Sequence, residues 1–186
     1  MSTAERPLTF AAPSIGEDEI QEVVATLREG WVTTGPRSQI FERAFADYAG
    51  VPHARAVNSC TAALHIMLAA KGVGPGDDVV IPSLTFAATG NVVEHVGANV
   101  VFADVDPATW NVTPETIERA LTPKTKAVII VHYSGLACPI AEIRALCEPR
   151  GIFVMEDAAH AVGTVHRGKP IGSHTEGVSF SFYANK

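Results

Sequence analysis

The chain has 186 residues, 47% of them hydrophobic and 18% charged, with a formal net charge of −6. That is enough apolar material for one domain with a sizeable core. The acidic balance, with no lysine or arginine cluster, argues against nonspecific nucleic-acid binding, which needs a basic face to neutralise phosphates.

The start, MSTAERPLTFAAPSIGEDEI, lacks a basic segment followed by a long apolar run, so no signal peptide is expected. SIGEDEIQEVVATLREG predicts a helix. Ser14 and Glu17 stand at capping-box spacing, Ile20, Val23, Val24 and Leu27 line one apolar face, and Gly30 closes it. A second helix is expected through QIFERAFADYAG, with Phe41, Ala44, Phe45 and Tyr48 inward. ARAVNS and TAALHIMLAAKG then read as strand, sharp turn and helix. DDVVIP, NVVFADV, KAVIIVHY and IFVMEDA follow as short β-rich runs. Between them lie the helical stretches AATGNVVEHVG, TPETIERALT and PIAEIRALCEPRG, with Pro114 at a first helical position. VSFSFYANK ends the chain as an alternating strand pattern closing on Lys186.

Strands this continuously apolar are buried on both faces, which predicts an α/β fold with a mostly parallel sheet flanked by helices. The longest apolar stretch, near AVIIVHY, is too short to span a bilayer. Cys60, Cys138 and Cys147 have neither metal-ligand spacing nor the look of a disulfide framework, which fits a reducing cytoplasm.

Ligands of such sheets bind beyond the carboxyl ends of the strands, so the polar residues in NSCT, PSLTF, VHYSG, EDAAH and SFYANK are the candidates. NSCTAALH puts Ser59, Cys60 and Thr61 where a strand turns into a helix, a place whose free N–H groups and dipole favour a phosphate. An ordinary N-cap is the alternative. GVGPGDD precedes a strand instead of following one, so a dinucleotide fingerprint is absent. Glu156 and Asp157 end an otherwise apolar strand, and alternation turns only one of them toward the ligand. A buried carboxylate needs a cation or donors, and a helix cap or a structural ion pair would also satisfy it. A metal on Asp157 and His160 lacks a convincing second ligand pair. Phe86 is either a core aromatic or a platform, and His132 and Tyr133 could each satisfy a local hydrogen bond. Together, a phosphate cradle, a buried carboxylate, an aromatic face and a strand-end lysine are what pyridoxal phosphate requires: an amine for its aldehyde and an anion for its ring nitrogen.

The order and wording of GWVTTGPRSQIFERAFADYAG, NSCTAALHIML, PSLTFAATGNVV, FADVDPATWNVTPETIERALTPKTKAVIIVHYSG, EDAAHAVGT and FSFYANK resemble the DegT/StrS-type sugar-nucleotide aminotransferases. These are fold-type I pyridoxal phosphate enzymes. GWVTTGP, VHYSG and EDAAHAVGT look closest to the members that aminate a UDP-linked 4-keto pentose for lipid A modification. The resemblance implies that Lys186 bonds the cofactor aldehyde and that Asp157 partners the pyridine nitrogen. It implies further that His160 meets the ring hydroxyl, that Phe86 stacks on the ring, and that Cys60, Thr61 and Ser181 contact the phosphate. Cys60 stands where Gly or Ala is commoner. The implied reaction carries an amino group, from glutamate as donor, to a nucleotide-linked keto sugar in cell-envelope or polysaccharide biosynthesis. Aminohydroxybenzoate synthase, which shares DAAHA, the sugar 3-dehydratases, and a noncatalytic relative are the alternatives; Lys186 speaks against a dehydratase, where histidine replaces it.

The resemblance also implies that residues 1–186 are the N-terminal segment plus most of the cofactor-binding large domain, truncated at the cofactor lysine. A further antiparallel strand, between ARAVNS and GVSFSFY, and a C-terminal small domain would follow. The complete chain would act as a homodimer, and the piece alone is not expected to be a working enzyme.

Overall fold

The computed structural model describes residues 13–184 and 186. Five strands, β1 (Asp78–Pro82), β2 (Asn99–Ala103), β3 (Thr125–Val131), β4 (Phe153–Ala158) and β7 (Val178–Phe180), form one sheet. Their order is β2-β1-β3-β4-β7, and every adjacent pair is parallel. Helix α3 (Cys60–Ala70) precedes β1, and α4 (Ala87–His95), α5 (Pro114–Ala120) and α6 (Ile140–Cys147) connect the next strands in turn. A two-stranded antiparallel hairpin, β5 (Val165–His166) with β6 (Lys169–Pro170), leads into β7.

The two-residue period of the strands divides the core into two layers. Val79, Ile81, Ala127, Ile129 and Met155 pack with Leu64 and Leu68 of α3 and Val92 and Val93 of α4. Val80, Val128, Ile130 and Val154 pack with Ile117 of α5 and Ile140 and Ile143 of α6. Each of these buried side chains larger than alanine contributes about 1.5–3 kcal/mol. This alternation decides the site, because it sends Asp157 toward α3 and α4 and Glu156 toward α6.

The expected α/β fold with its parallel sheet is therefore present, and Pro114 opens α5 behind the cap Thr113, whose Oγ1 accepts from Thr116 N. Other expectations are corrected. α1 (Glu17–Glu29) is capped by Gly16, not Ser14, because the Glu19 carboxylate takes the Gly16 N–H at 2.6 Å. Gly30 ends it in the left-handed conformation, as expected. Its apolar stripe is not inward: Ile20, Val23 and Leu27 are exposed and no residue of α1 is buried. In α2 (Pro36–Ala49) the buried residues are Ala46 and Ala49, while Phe41, Ala44 and Tyr48 are exposed and Phe45 is half-buried. The aromatics instead form a ring-on-ring cluster with Phe180 and Phe182, Phe45 lying 5.0 and 5.4 Å from them. ARAVNS, expected as a strand, is unpaired irregular backbone among the described residues, with Val57 exposed. β2 lies at the sheet's outer edge with Phe102 exposed, so it is not buried on both faces. Among the described residues no helix is long and apolar enough to cross a membrane.

Candidate active site

The carboxyl ends of the strands gather the candidates. Asp157, one residue before the end of β4, is only 5% exposed. Its Oδ1 accepts the Ala159 N–H at 3.1 Å and its Oδ2 accepts the Thr89 hydroxyl at 3.2 Å. No lysine or arginine among the described residues forms an ion pair with it. Burial accordingly pushes its pKa up, against the two hydrogen bonds and the nearby His160 and His132, which pull it down. A desolvated carboxylate with donors but no paired cation is a site that would be stabilised by one.

Glu156 settles the question of the paired carboxylates from the other side of the sheet. It is fully buried, its Oε2 lies 2.7 Å from His132 Nε2, and its Oε1 accepts the Thr175 hydroxyl at 2.6 Å. The Cys138 N–H donates to His132 Nδ1 at 3.2 Å, so the ring hydrogen is on Nε2 and points at Glu156. This pair is internal structure. His132 thus satisfies a local bond, as one of the two readings of VHYSG holds.

At the start of α3, the Ser59 hydroxyl oxygen caps the Ala62 N–H at 3.0 Å. Among the described residues the N–H groups of Cys60 and Thr61 have no acceptor, which leaves two donors at the positive end of an 11-residue helix. Ser59 is therefore a cap, and Cys60 and Thr61 offer backbone. The Ser179 hydroxyl donates to the Cys60 carbonyl at 3.0 Å, which leaves its Oγ to accept from the Cys60 thiol 2.9 Å away, with Asp157 Oδ1 a second acceptor at 4.0 Å. Burial and the Asp157 charge push this thiol up to about 11, which keeps it protonated and unreactive. Ser181 lies just past β7, half-buried, its Oγ accepting the Tyr183 N–H at 3.3 Å.

Lys186 is exposed, and its Nζ lies 2.7 Å from His160 Nε2. Burial and the neighbouring lysine both lower the His160 pKa, so Nε2 serves as an acceptor for the Lys186 ammonium. The His160 ring meets Tyr133 edge-on at 6.4 Å, and Tyr133 meets Trp110 at 5.4 Å. Phe86, at the N-terminus of α4, is 77% exposed, so it is no core aromatic. Two groups result: Asp157, Thr89, Cys60 and Ser179 in one, and Lys186 with His160 in the other. They are electrostatically linked, since the Lys186 charge acts on Cys60 and the Asp157 charge on His160. Sequence reasoning passed over Thr89 and Ser179. The cross-strand register Asp157↔Ser179 finds the latter; a threonine inside an apolar helix was the only signal for the former.

The pattern of the DegT/DnrJ/EryC1/StrS aminotransferase family matches residues 13–186. The chain is 51% identical over 179 residues to the spore coat polysaccharide biosynthesis protein SpsC of Bacillus subtilis (strain 168), covering 96% of this chain and 46% of that protein. Spr1654 from Streptococcus pneumoniae, classed with the sugar aminotransferases and solved in a PLP-form, matches with a TM-score of 0.93 and 38% identity, over 96% of this chain and 50% of that one. The crystal structure of 3-amino-5-hydroxybenzoic acid synthase matches with a TM-score of 0.90 and 36% identity, over 96% and 47%. The chain thus spans about half the length of the relatives it matches.

Proposed function

The chain belongs to the DegT/DnrJ/EryC1/StrS aminotransferase family, and from that premise we propose that the complete protein transfers an amino group, with pyridoxal phosphate, from glutamate to a nucleotide-linked keto sugar. The observation that carries the reading is Asp157: a buried carboxylate without a paired cation, on the same face as free helix N–H groups.

The residues fit the cofactor. When bound, it supplies an aldehyde carbon for the amino group and a ring that withdraws electrons. The ionised Asp157 would hold a proton on the ring nitrogen, the Cys60 and Thr61 N–H groups would hold the phosphate, with Ser181 as a further contact, and Phe86 would supply a stacking ring. Lys186 would hold the cofactor through its aldehyde carbon, and its Nζ as a free amine could take up and return a proton. His160 Nε2 accepts a hydrogen from that amine at 2.7 Å and orients it; meeting the cofactor's ring hydroxyl is its other assigned role.

Borohydride reduction of the full-length protein followed by peptide mass mapping tests the assignment. The adduct is expected on Lys186, and an adduct on Lys71, Lys124, Lys126 or Lys169 would overturn it.

The acceptor in this reading is a UDP-linked 4-keto sugar whose product enters a cell-surface polysaccharide. The resemblance of GWVTTGP, VHYSG and EDAAHAVGT and the similarity to a polysaccharide biosynthesis protein support it. The likeness to 3-amino-5-hydroxybenzoic acid synthase favours a second reading, amination of a free cyclic ketone. Incubation with glutamate and a panel of UDP- and dTDP-linked keto sugars and cyclic ketones separates the two. Amination of UDP-4-keto sugars is expected, and turnover confined to dTDP sugars or a free cyclic ketone rejects that acceptor. The coverage of about half of each relative supports the same domain organisation: these residues are most of the large domain, and a further strand, a small domain and a second subunit complete the enzyme.

A further inference from the structure

Thr89 sits inside α4 and is 0% exposed. A threonine there commonly returns its hydroxyl to a carbonyl one turn back. Here the hydroxyl leaves the helix: Oγ1 is 3.2 Å from Asp157 Oδ2 and 2.7 Å from Thr85 Oγ1. Each hydroxyl carries one hydrogen, and an ionised carboxylate only accepts. With Asp157 charged, Thr89 must donate to Asp157, and Thr85 must donate to Thr89. Reversing the order requires a proton on Asp157. The Cys60 thiol is a weak donor at 4.0 Å from Asp157 Oδ1, with Ser179 Oγ nearer to it at 2.9 Å, so it is no equal of the Thr89 hydroxyl. Thr89 is thus the one hydroxyl donating to Asp157 among the described residues. Thr85 in turn is the direct chain neighbour of Phe86, which caps α4.

We propose that Thr89 is a positioning residue for Asp157, with Thr85 as its support: the two hydroxyls form a one-way relay that holds the carboxylate charged and oriented, and ties the loop bearing Phe86 to it. The role of the held charge, keeping a proton on a cofactor ring nitrogen, rests on the function proposed above; the relay itself does not. The other titratable groups around Asp157 are Cys60 on α3, His132 at the end of β3 and His160 after β4, with Lys186 acting on Cys60 and His160.

The test uses the full-length protein freed of cofactor. An infrared titration follows the carboxyl C=O band of Asp157, assigned by its loss in Asp157→Asn. Thr89→Val keeps the branched shape and removes the hydroxyl. Its midpoint is expected at about tenfold lower proton concentration than in the parent, the scale of one lost hydrogen bond to a charged acceptor. Thr89→Ser is expected to restore the parent midpoint, and Thr85→Val to shift it in the same direction by less. An unmoved midpoint in folded Thr89→Val, or the same displacement in Thr89→Ser, overturns the relay. Should Thr89→Val fail to fold, Thr85→Val decides alone, because Thr85 is only half-buried; an unmoved midpoint there also overturns it. Since no cofactor is present, this result is independent of the borohydride mapping, which tests the cofactor reading by itself.

Discussion

Lys186→Ala is expected to lower turnover of the full-length enzyme by about ten-thousand-fold while leaving its folding unchanged. The size follows from removing the one amine at the site, and with it the proton transfer that a positioned base contributes at the upper end of its range. The selectivity follows from geometry. Lys186 is exposed, lies past the end of β7, and among the described residues has His160 as its one side-chain partner. Removing it leaves no buried charge and no cavity, so the melting temperature should stay within a degree or two. The cofactor should remain bound through Asp157 and the α3 N-terminus but, unlike in the parent, stay removable by gel filtration in denaturant even after borohydride reduction. Single-turnover kinetics and absorbance before and after denaturation check both parts. Activity within tenfold of the parent would remove Lys186 from the chemistry.

What could be read from the sequence depended on whether a residue's fate is set locally. The strands β1, β3 and β4 were legible because an unbroken run such as VIIV has no polar side to expose, and burial on both faces leaves a parallel sheet as the solution. Helices with their own end signals, such as Thr113 with Pro114, were legible too. The amphipathic helices were not. The stripe of Ile20, Val23 and Leu27 shows that α1 has an apolar side, and nothing in the stripe says what covers it. ARAVNS has strand composition, but a strand exists only as a pair, and no partner lies beside it among the described residues.

The site divided in the same way. Asp157 and Lys186 stood out because a carboxylate and an ammonium at the ends of apolar strands are costly or conspicuous. Alternation along VMEDA turned Asp157 and Glu156 to opposite faces of β4, as they are, without saying which of them faces a ligand. It could not say which partner each would meet: His132 arrives at Glu156 from 24 residues away in the chain, and Thr89 at Asp157 from 68. Phe86 was ambiguous because an aromatic after a strand can turn either way, and only its exposure in the fold distinguishes a platform from core.

Adjacent carboxylates with opposite roles give the second large effect. Asp157→Asn keeps the shape of the side chain and removes the charge: its amide oxygen can stay on the Ala159 N–H while its NH2 donates to Thr89 Oγ1, whose hydroxyl then turns to Thr85 Oγ1. Turnover is expected to fall at least about a hundredfold with the cofactor retained through Lys186, the scale of losing one preorganised electrostatic group. Stability of the cofactor-free protein should move the other way. Burial raises the Asp157 pKa above its ordinary value, so between the unfolded and folded values the native state binds more protons than the unfolded state. Stability then falls as pH rises through that window and stays lower above it. Asparagine has no charge to desolvate, so Asp157→Asn should unfold at higher denaturant concentration than the parent at pH 7, and lose that advantage below pH 4. Glu156→Gln should do the reverse. Its carboxylate receives both the His132 Nε2–H and the Thr175 hydroxyl, and an amide cannot accept at both ends. The amide NH2 can donate to Thr175 Oγ1 once that hydroxyl turns to the Gly177 carbonyl at 3.2 Å, so the cost is the loss of the acceptor's charge opposite His132 Nε2–H, about 1 kcal/mol. Its effect on turnover should be small compared with that of Asp157→Asn. Urea titrations at pH 7 and pH 4 with steady-state rates on all three proteins decide the matter. Near-normal turnover in Asp157→Asn would move the cofactor's anion to Glu156 or elsewhere, and a cofactor-free Asp157→Asn less stable than the parent would mean that the carboxylate already has a cationic partner.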